Sequence, residues 1–163
     1  QAFGIFVNRF GILWRPLEIE LARAIRIVSA CALLHNFILD NSDDAEKIFR
    51  INWGDDMELV EEFNVLFLNR ANYVKGLLRL SRGGLTGTVA DPRILFATAL
   101  KGLAVGIIAG HNHPSGSCKP STQDIELTRK LKEIGKLHDI QLIDHIILTP
   151  QSGFYSFADE GLL

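Results

Sequence analysis

Leu103-Ala104-Val105-Gly106-Ile107-Ile108-Ala109 is an unbroken run of apolar residues and glycine, and it leads through Gly110 directly into His111-Asn112-His113-Pro114-Ser115-Gly116. A short run this apolar reads as a strand buried on both faces, which demands a sheet with other layers packed against it. The histidines are therefore delivered to the end of a buried strand. Alternate residues of an extended segment point the same way, so His111 and His113 can present both imidazoles to one point. Asp124 follows eleven positions after His113, in the first turn of a helix that Ser121 can cap, and could add an oxygen. Two nitrogens and one oxygen, with a fourth position left for water, have the composition of a catalytic zinc site, not a structural one. Taken singly, Ser121-x-x-Asp124 could be only a capping box and the His-x-His pair only a surface loop. Their coincidence in one short segment, with Gly110, Pro114 and Gly116 suited to a tight loop at a sheet edge, favours a site.

The surrounding pattern supplies the layers. Glu62 to Leu68 reads as a strand apolar enough to be central, Asn69 to Asn72 as a turn, and Tyr73 to Leu80 as its hairpin partner. The loop Gly83 to Thr88 lacks the spacing of a phosphate-binding fingerprint. Asp91-Pro92 opens a helix as N-cap and first residue, and Ile94, Leu95, Phe96, Ala99 and Leu100 predict that it is largely buried. Ser121 opens another helix that runs to about Leu137, with Leu127, Leu131 and Ile134 as its inner stripe. Gln141 to Leu148 is a strand, Pro150 to Gly153 a turn, and Phe154 to Phe157 a closing strand. The order β-β-α-β-α-β-β predicts an α/β fold, a mixed β-sheet flanked by helices.

Upstream, residues 1–40 predict a helical segment. Phe3, Phe6, Phe10, Leu13 and Trp14 stand at helical spacing, Pro16 interrupts, and a second helix runs from about Glu18 to Leu39. Asn41-Ser42-Asp43-Asp44 reads as a polar linker, and a short helix from about Ala45 to Asn52 turns Ile48 and Phe49 inward. A formal net charge of −2 gives no broad polyanion-binding surface, and the basic face of the 121–137 helix also carries Glu126 and Glu133. No direct nucleic-acid ligand is expected. Cys31 and Cys118 are the only cysteines, which fits a reducing compartment. The apolar stretch Ile27 to Leu34 is far too short to span a bilayer, and no signal peptide is evident, so the expectation is a cytoplasmic chain without a membrane partner.

Two resemblances add to this. Ala2-Phe3-Gly4-Ile5, Asn8-Arg9-Phe10, Arg15-Pro16-Leu17 and Ala30-Cys31-Ala32-Leu33-Leu34-His35-Asn36-Phe37 resemble the C-terminal tail of harbinger-type transposase nucleases. That family's last catalytic acid would lie ahead of Gln1, so nuclease activity is not carried over. Over about Ala45 to Leu163, His111-x-His113-Pro114 with Ser121-x-x-Asp124 and an upstream acid resembles the JAMM motif of MPN (JAB) metalloproteases. The fuller match is to the RadC-like branch, through Val60-Glu61-Glu62-Phe63, Phe67-Leu68-Asn69-Arg70, Ser81-x-Gly83, Gly87-Thr88, Leu142-x-Asp144-His145 and Tyr155-Ser156-Phe157.

That resemblance implies a zinc-dependent metallopeptidase or isopeptidase. It implies His111, His113 and Asp124 as ligands of Zn2+, Glu61 as general base and Ser121 as oxyanion donor. The substrate implied is a protein or peptide whose identity the residues do not reveal. Glu62 is the rival base, since adjacent strand residues face opposite sides and only one can reach the metal. Asp144-His145 matches the family pattern without a derivable role and reads as a satisfied structural pair, and Cys118 as an ordinary loop cysteine. A zinc deaminase would need H-x-E and P-C-x-x-C, which this sequence lacks. The alternative class is a non-catalytic interaction module, associated with DNA repair by the family's older naming.

Overall fold

The computed structural model describes residue 39 and residues 41–53, 55–83, 89–151 and 153–163. The expected helices within 1–38, and most of the Gly83–Thr88 loop, lie outside the described residues.

The described elements are α1 (Ser42–Asn52), a short 3-10 turn (Asp55–Glu58), β1 (Glu62–Leu68), β2 (Val74–Arg82), α2 (Pro92–Lys101), β3 (Gly106–Asn112), α3 (Thr122–Leu137), β4 (Gln141–Leu148) and β5 (Phe154–Ser156). Five strands form one mixed sheet in the order β2-β1-β3-β4-β5. β3 and β4 run parallel, and the other neighbouring pairs run antiparallel. This is the expected α/β architecture, with helices on both faces.

Strand alternation divides the core into two layers. Leu66 and Leu68 of β1, Ile108 of β3, and Ile146 and Leu148 of β4 pack with Ala45, Ile48 and Phe49 of α1 and with Trp53. Phe63, Val65 and Phe67 of β1, with Ile107 and Ala109 of β3, face Leu95, Phe96 and Ala99 of α2 and Leu131 of α3. All seven residues of β1 and all seven of β3 are buried, as the apolar run requires. Each fully buried Leu, Ile or Phe among them contributes about 1.5–3 kcal/mol relative to an exposed one.

Four local differences from the sequence expectation have simple causes. α1 begins at Ser42, because Asn41 caps it by accepting from the Asp44 N–H at 3.0 Å. The polar run is thus a cap and first turn, and the core reaches back to the buried Leu39. β2 continues two residues past Leu80, since Ser81 and Arg82 still pair with Phe63 and Glu62. β3 starts at Gly106, after Leu103 adopts a positive φ of 51° at the exit of α2. In α2 itself, Leu95, Phe96 and Ala99 are buried, whereas Ile94 and Leu100 are 53% and 48% exposed, because one helical stripe suffices to meet the sheet.

Gly135 is where the end of α3 meets β4. A Cβ there would stand 2.3 Å from the Ile140 backbone oxygen. Alanine improves helix propensity over glycine by about 1 kcal/mol, but a main-chain carbonyl cannot swing aside, and overpacking costs about 1–3 kcal/mol. Gly135→Ala is therefore expected to lose up to about 2 kcal/mol net, read as a lower urea midpoint at unchanged slope. A raised midpoint would show that the approach of α3 to β4 relaxes freely.

Candidate metal centre

His111 is the penultimate residue of β3, His113 follows the strand's end, and Asp124 is the third residue of α3. One ligand atom from each lies within 4.8 Å of the others. His111 Nε2 is 3.0 Å from His113 Nε2. Asp124 Oδ1 is 3.2 Å from His111 Nε2, and Oδ2 is 3.6 Å from His113 Nε2. The strand and the helix cap bring together all three residues expected to ligate.

Each of the three is held from behind. His111 is 1% exposed and its ring lies nearly parallel to Phe63, with centroids 5.9 Å apart and planes at 9°. His113 donates through Nδ1 to the Ser117 carbonyl at 2.7 Å; a carbonyl only accepts, so in the neutral ring Nε2 is bare. Asp124 closes a capping box: its Oδ2 accepts from the Ser121 N–H at 2.7 Å, and Ser121 Oγ accepts from the Asp124 N–H at 3.2 Å. Burial pushes the Asp124 pKa up, but the adjacent His111 and His113 rings and the Ser121 N–H outweigh it and hold the carboxyl below the usual range. The Asp124 hydrogen bond raises the His113 pKa above an ordinary histidine against the opposing effect of burial. The Ser117 carbonyl and the charges of Asp124 and Glu61 add to that rise. Two imidazole nitrogens 3.0 Å apart beside an ionised carboxylate are an arrangement that a cation satisfies.

The two candidate bases separate. Glu62 is buried and points to the face away from the histidines, where Arg79 Nε and Arg82 Nε lie 3.2 and 3.5 Å from its carboxylate. Glu61 immediately precedes β1 and shares the parity of Phe63, the residue stacked on His111; its charge acts on His113. Its carbonyl accepts from the Gly83 N–H at 2.8 Å. Asn112, between the two histidines, faces the opposite side and holds the backbone around Glu61. Its Oδ1 accepts from the Glu62 N–H at 2.7 Å, and its Nδ2 donates to the carbonyls of Met57 and Val60 at 2.7 and 2.9 Å.

Sequence reasoning singled out His145 only as half of a structural pair with Asp144, not as a neighbour of His111. It lies fully buried behind His111, its Nε2 2.9 Å from His111 Nδ1 and its Nδ1 2.6 Å from Thr128 Oγ1. Between β3 and β4 the register slips, from Ile107 opposite Leu142 to Ile108 opposite Asp144. The slip turns His145 toward His111 and leaves Asp144 on the other face. There Asp144 is the satisfied structural group that was expected, accepting from Ser156 Oγ at 2.7 Å, the His145 N–H at 2.7 Å and the Ala158 N–H at 3.0 Å. Simple alternation along 141–148 gives no signal for this slip. Cys118 is outside the ligand group, with its Sγ 3.9 Å from Thr149 Oγ1.

A buried strand ending in His-x-His, a capped helix supplying Asp, and a mixed sheet covered on both faces together define a JAB-type domain. A model of the RadC-like JAB domain matches residues 39–162, and the chain belongs to that family. Its relatives include a UPF0758 protein of Flavobacterium johnsoniae, 38% identical over 151 residues, covering 86% of this chain and 64% of that protein. A UPF0758 protein of Porphyromonas gingivalis is 45% identical over 103 residues, covering 63% of this chain and 45% of the relative. UPF0758 protein STH371 of Symbiobacterium thermophilum is 40% identical over 104 residues, covering 64% of this chain and 44% of the relative. The chain thus spans between 44% and 64% of the length of these three proteins. No helix among the described residues is long and apolar enough to cross a membrane.

Asn112→Ala should leave the carbonyls of Met57 and Val60 and the Glu62 N–H without their partner. Buried groups stripped of a partner cost about 1–3 kcal/mol, so the variant should melt lower and its Glu62 amide should exchange faster. Unchanged exchange at Glu62 would mean that Asn112 does not hold the segment carrying Glu61.

Proposed function

We propose that this domain is a zinc-dependent metallopeptidase or isopeptidase, with His111, His113 and Asp124 as the zinc ligands. The observation that carries the reading is the convergence of two histidine nitrogens and a carboxylate at one point, with Glu61 on that side of β1 and Glu62 turned away. Nitrogen and oxygen donors in a three-residue set suit Zn2+, which when bound acidifies water toward neutrality and polarises a carbonyl.

The chain's own residues divide the remaining work. Glu61 takes the proton of the attacking water and hands it to the departing amine nitrogen as the C–N bond breaks and the new C–O bond persists. Ser121 Oγ already accepts from the Asp124 N–H, which uses a lone pair and leaves its own proton to donate to the oxyanion. The partner is a protein or peptide presenting an amide or isopeptide bond.

Purified protein is expected to carry one zinc per chain, and His113→Ala to lose stoichiometric metal. Glu61→Gln should keep the zinc while cleavage of a peptide library or an ε-linked lysine isopeptide falls on the order of a hundred- to ten-thousand-fold. Glu62→Gln should retain most activity. An inactive Glu62 variant beside an active Glu61 variant would move the base by one residue. Full zinc with no cleavage by the wild type would favour a binding module.

A further inference from the structure

His111 must present a bare Nε2 to act as a ligand, yet a neutral imidazole can carry its proton on either nitrogen. What fixes the choice is the hydrogen-bond chain behind it, which ends in a main-chain carbonyl of the same helix that supplies Asp124. Thr128 Oγ1 is 2.6 Å from the Asp124 carbonyl oxygen. That carbonyl can only accept, so the single hydroxyl proton of Thr128 is committed to it. Toward His145 Nδ1, also 2.6 Å away, the same hydroxyl can then only accept, which places the His145 proton on Nδ1. His145 Nε2 is therefore bare and can only accept from His111 Nδ1 at 2.9 Å. That bond places the His111 proton on Nδ1 and leaves Nε2 bare, facing His113 and Asp124.

We propose that Thr128 and His145 are positioning residues that set the ligand tautomer of His111 through this relay, before any metal arrives. The proposal rests on the metal-site reading above, and adds two residues to it. The setting isolates the relay from water: His145 is fully buried and Thr128 2% exposed. The His145 ring stacks on Phe157 at 4.8 Å and 11°, with Phe63 at 5.4 Å on a tilt. Both ring nitrogens of His145 meet neutral partners, so the ring has one proton to place and no carboxylate to choose for it. His113 reaches the same tautomer independently, through the Ser117 carbonyl. Without the Thr128 hydroxyl, His145 Nδ1 has no acceptor. Its proton then moves to Nε2 and is donated to His111 Nδ1, which drives the His111 proton onto the ligand atom.

The test uses the whole chain, with and without zinc. Long-range 1H–15N spectra of the metal-free wild type at about pH 8, above the ordinary histidine pKa, should show His111 and His145 both protonated on Nδ1. Thr128→Val, which removes the hydroxyl at nearly constant shape, should shift both rings toward the Nε2–H form. Its zinc affinity, measured by competition with a chromophoric chelator, should fall roughly 10–100-fold. Thr128→Ser keeps the hydroxyl and should restore both the tautomer and the affinity. His145→Phe, which preserves the aromatic packing but neither accepts nor donates, should lose affinity as Thr128→Val does. The relay is overturned if the wild type shows His111 protonated on Nε2, if Thr128→Val binds zinc as tightly as the wild type, or if Thr128→Ser is as weak as Thr128→Val. The wild-type spectrum requires no variant, so a variant that fails to fold still leaves a decisive result. A wild type that shows the expected tautomers but binds no zinc would sink the metal reading and leave the relay standing.

Discussion

Bringing His111 Nε2, His113 Nε2 and the Asp124 carboxylate to one point is work the fold must do, because nothing in an isolated loop would hold them there. Two electron-rich nitrogens at 3.0 Å gain nothing from each other without a cation or a shared proton between them. The geometry is imposed from outside by three rigid anchors. β3 is paired with β4 along its whole length and with β1 from Gly106 to His111, fixing where His111 emerges. The His113 N–H donates to the Leu148 carbonyl at 2.8 Å, extending that pairing one residue past the strand. The capping box at Ser121 sets the first turn of α3, and with it Asp124. Packing supplies the rest, since Leu131 of α3 is buried in the same layer as Phe63 and Ala109.

Strand alternation then decides which chemistry faces the site. Phe63 and His111 are register partners and stack, so the histidine face of the sheet is the α2–α3 face. Just ahead of β1 this puts Glu61 on the histidine side, and it puts Glu62 among arginines on the other. On β4 the same rule would have turned Asp144 and not His145 toward Ala109 and His111 had the register continued unbroken from Leu142. The one-residue slip at Ile143 reverses that assignment, and it converts a carboxylate neighbour of His111 into a neutral imidazole. A buried carboxylate there would pull the proton of His111 to Nδ1 by charge. The histidine does so by hydrogen bonding alone, without adding a second negative charge behind the site.

This is also where the sequence stops being legible. The order of elements, the covered sheet and the convergent residues His111, His113 and Asp124 are local signals: an apolar run, a His-x-His pair, a Ser-x-x-Asp cap, each readable within a few positions. The preference for Glu61 over Glu62 rests on the RadC-like pattern, strand parity allowing only one of the two to face the histidines. His145 and Thr128 were not readable because their role depends on a long-range register slip and on a helix face meeting a strand, which no window of sequence contains. Ile94 and Leu100 were misplaced for a related reason: both are apolar, and only the width of the contact between α2 and the sheet decides which apolar residues it covers. The N-cap at Asn41 was hidden by the ambiguity of a polar run, which serves equally as a break or as a first turn.

Asn112 shows how closely the two halves of the site are bound together. A residue between two histidines of extended backbone that face one way turns to the other side, and a polar residue buried there must find partners or be costly. Asn112 finds them in the backbone from Met57 to Glu62, bracketing Glu61. The consequence is a division of labour within three consecutive residues: His111 and His113 face Asp124, and Asn112 holds the backbone that carries Glu61. Moving β3 would displace the histidines and Glu61 together, so the distance between them is set by one strand and one amide, not by the separate positions of two loops. That coupling explains why the short peptide His111-Asn112-His113 can govern the geometry of a site whose other members come from the start of β1, the cap of α3 and the middle of β4.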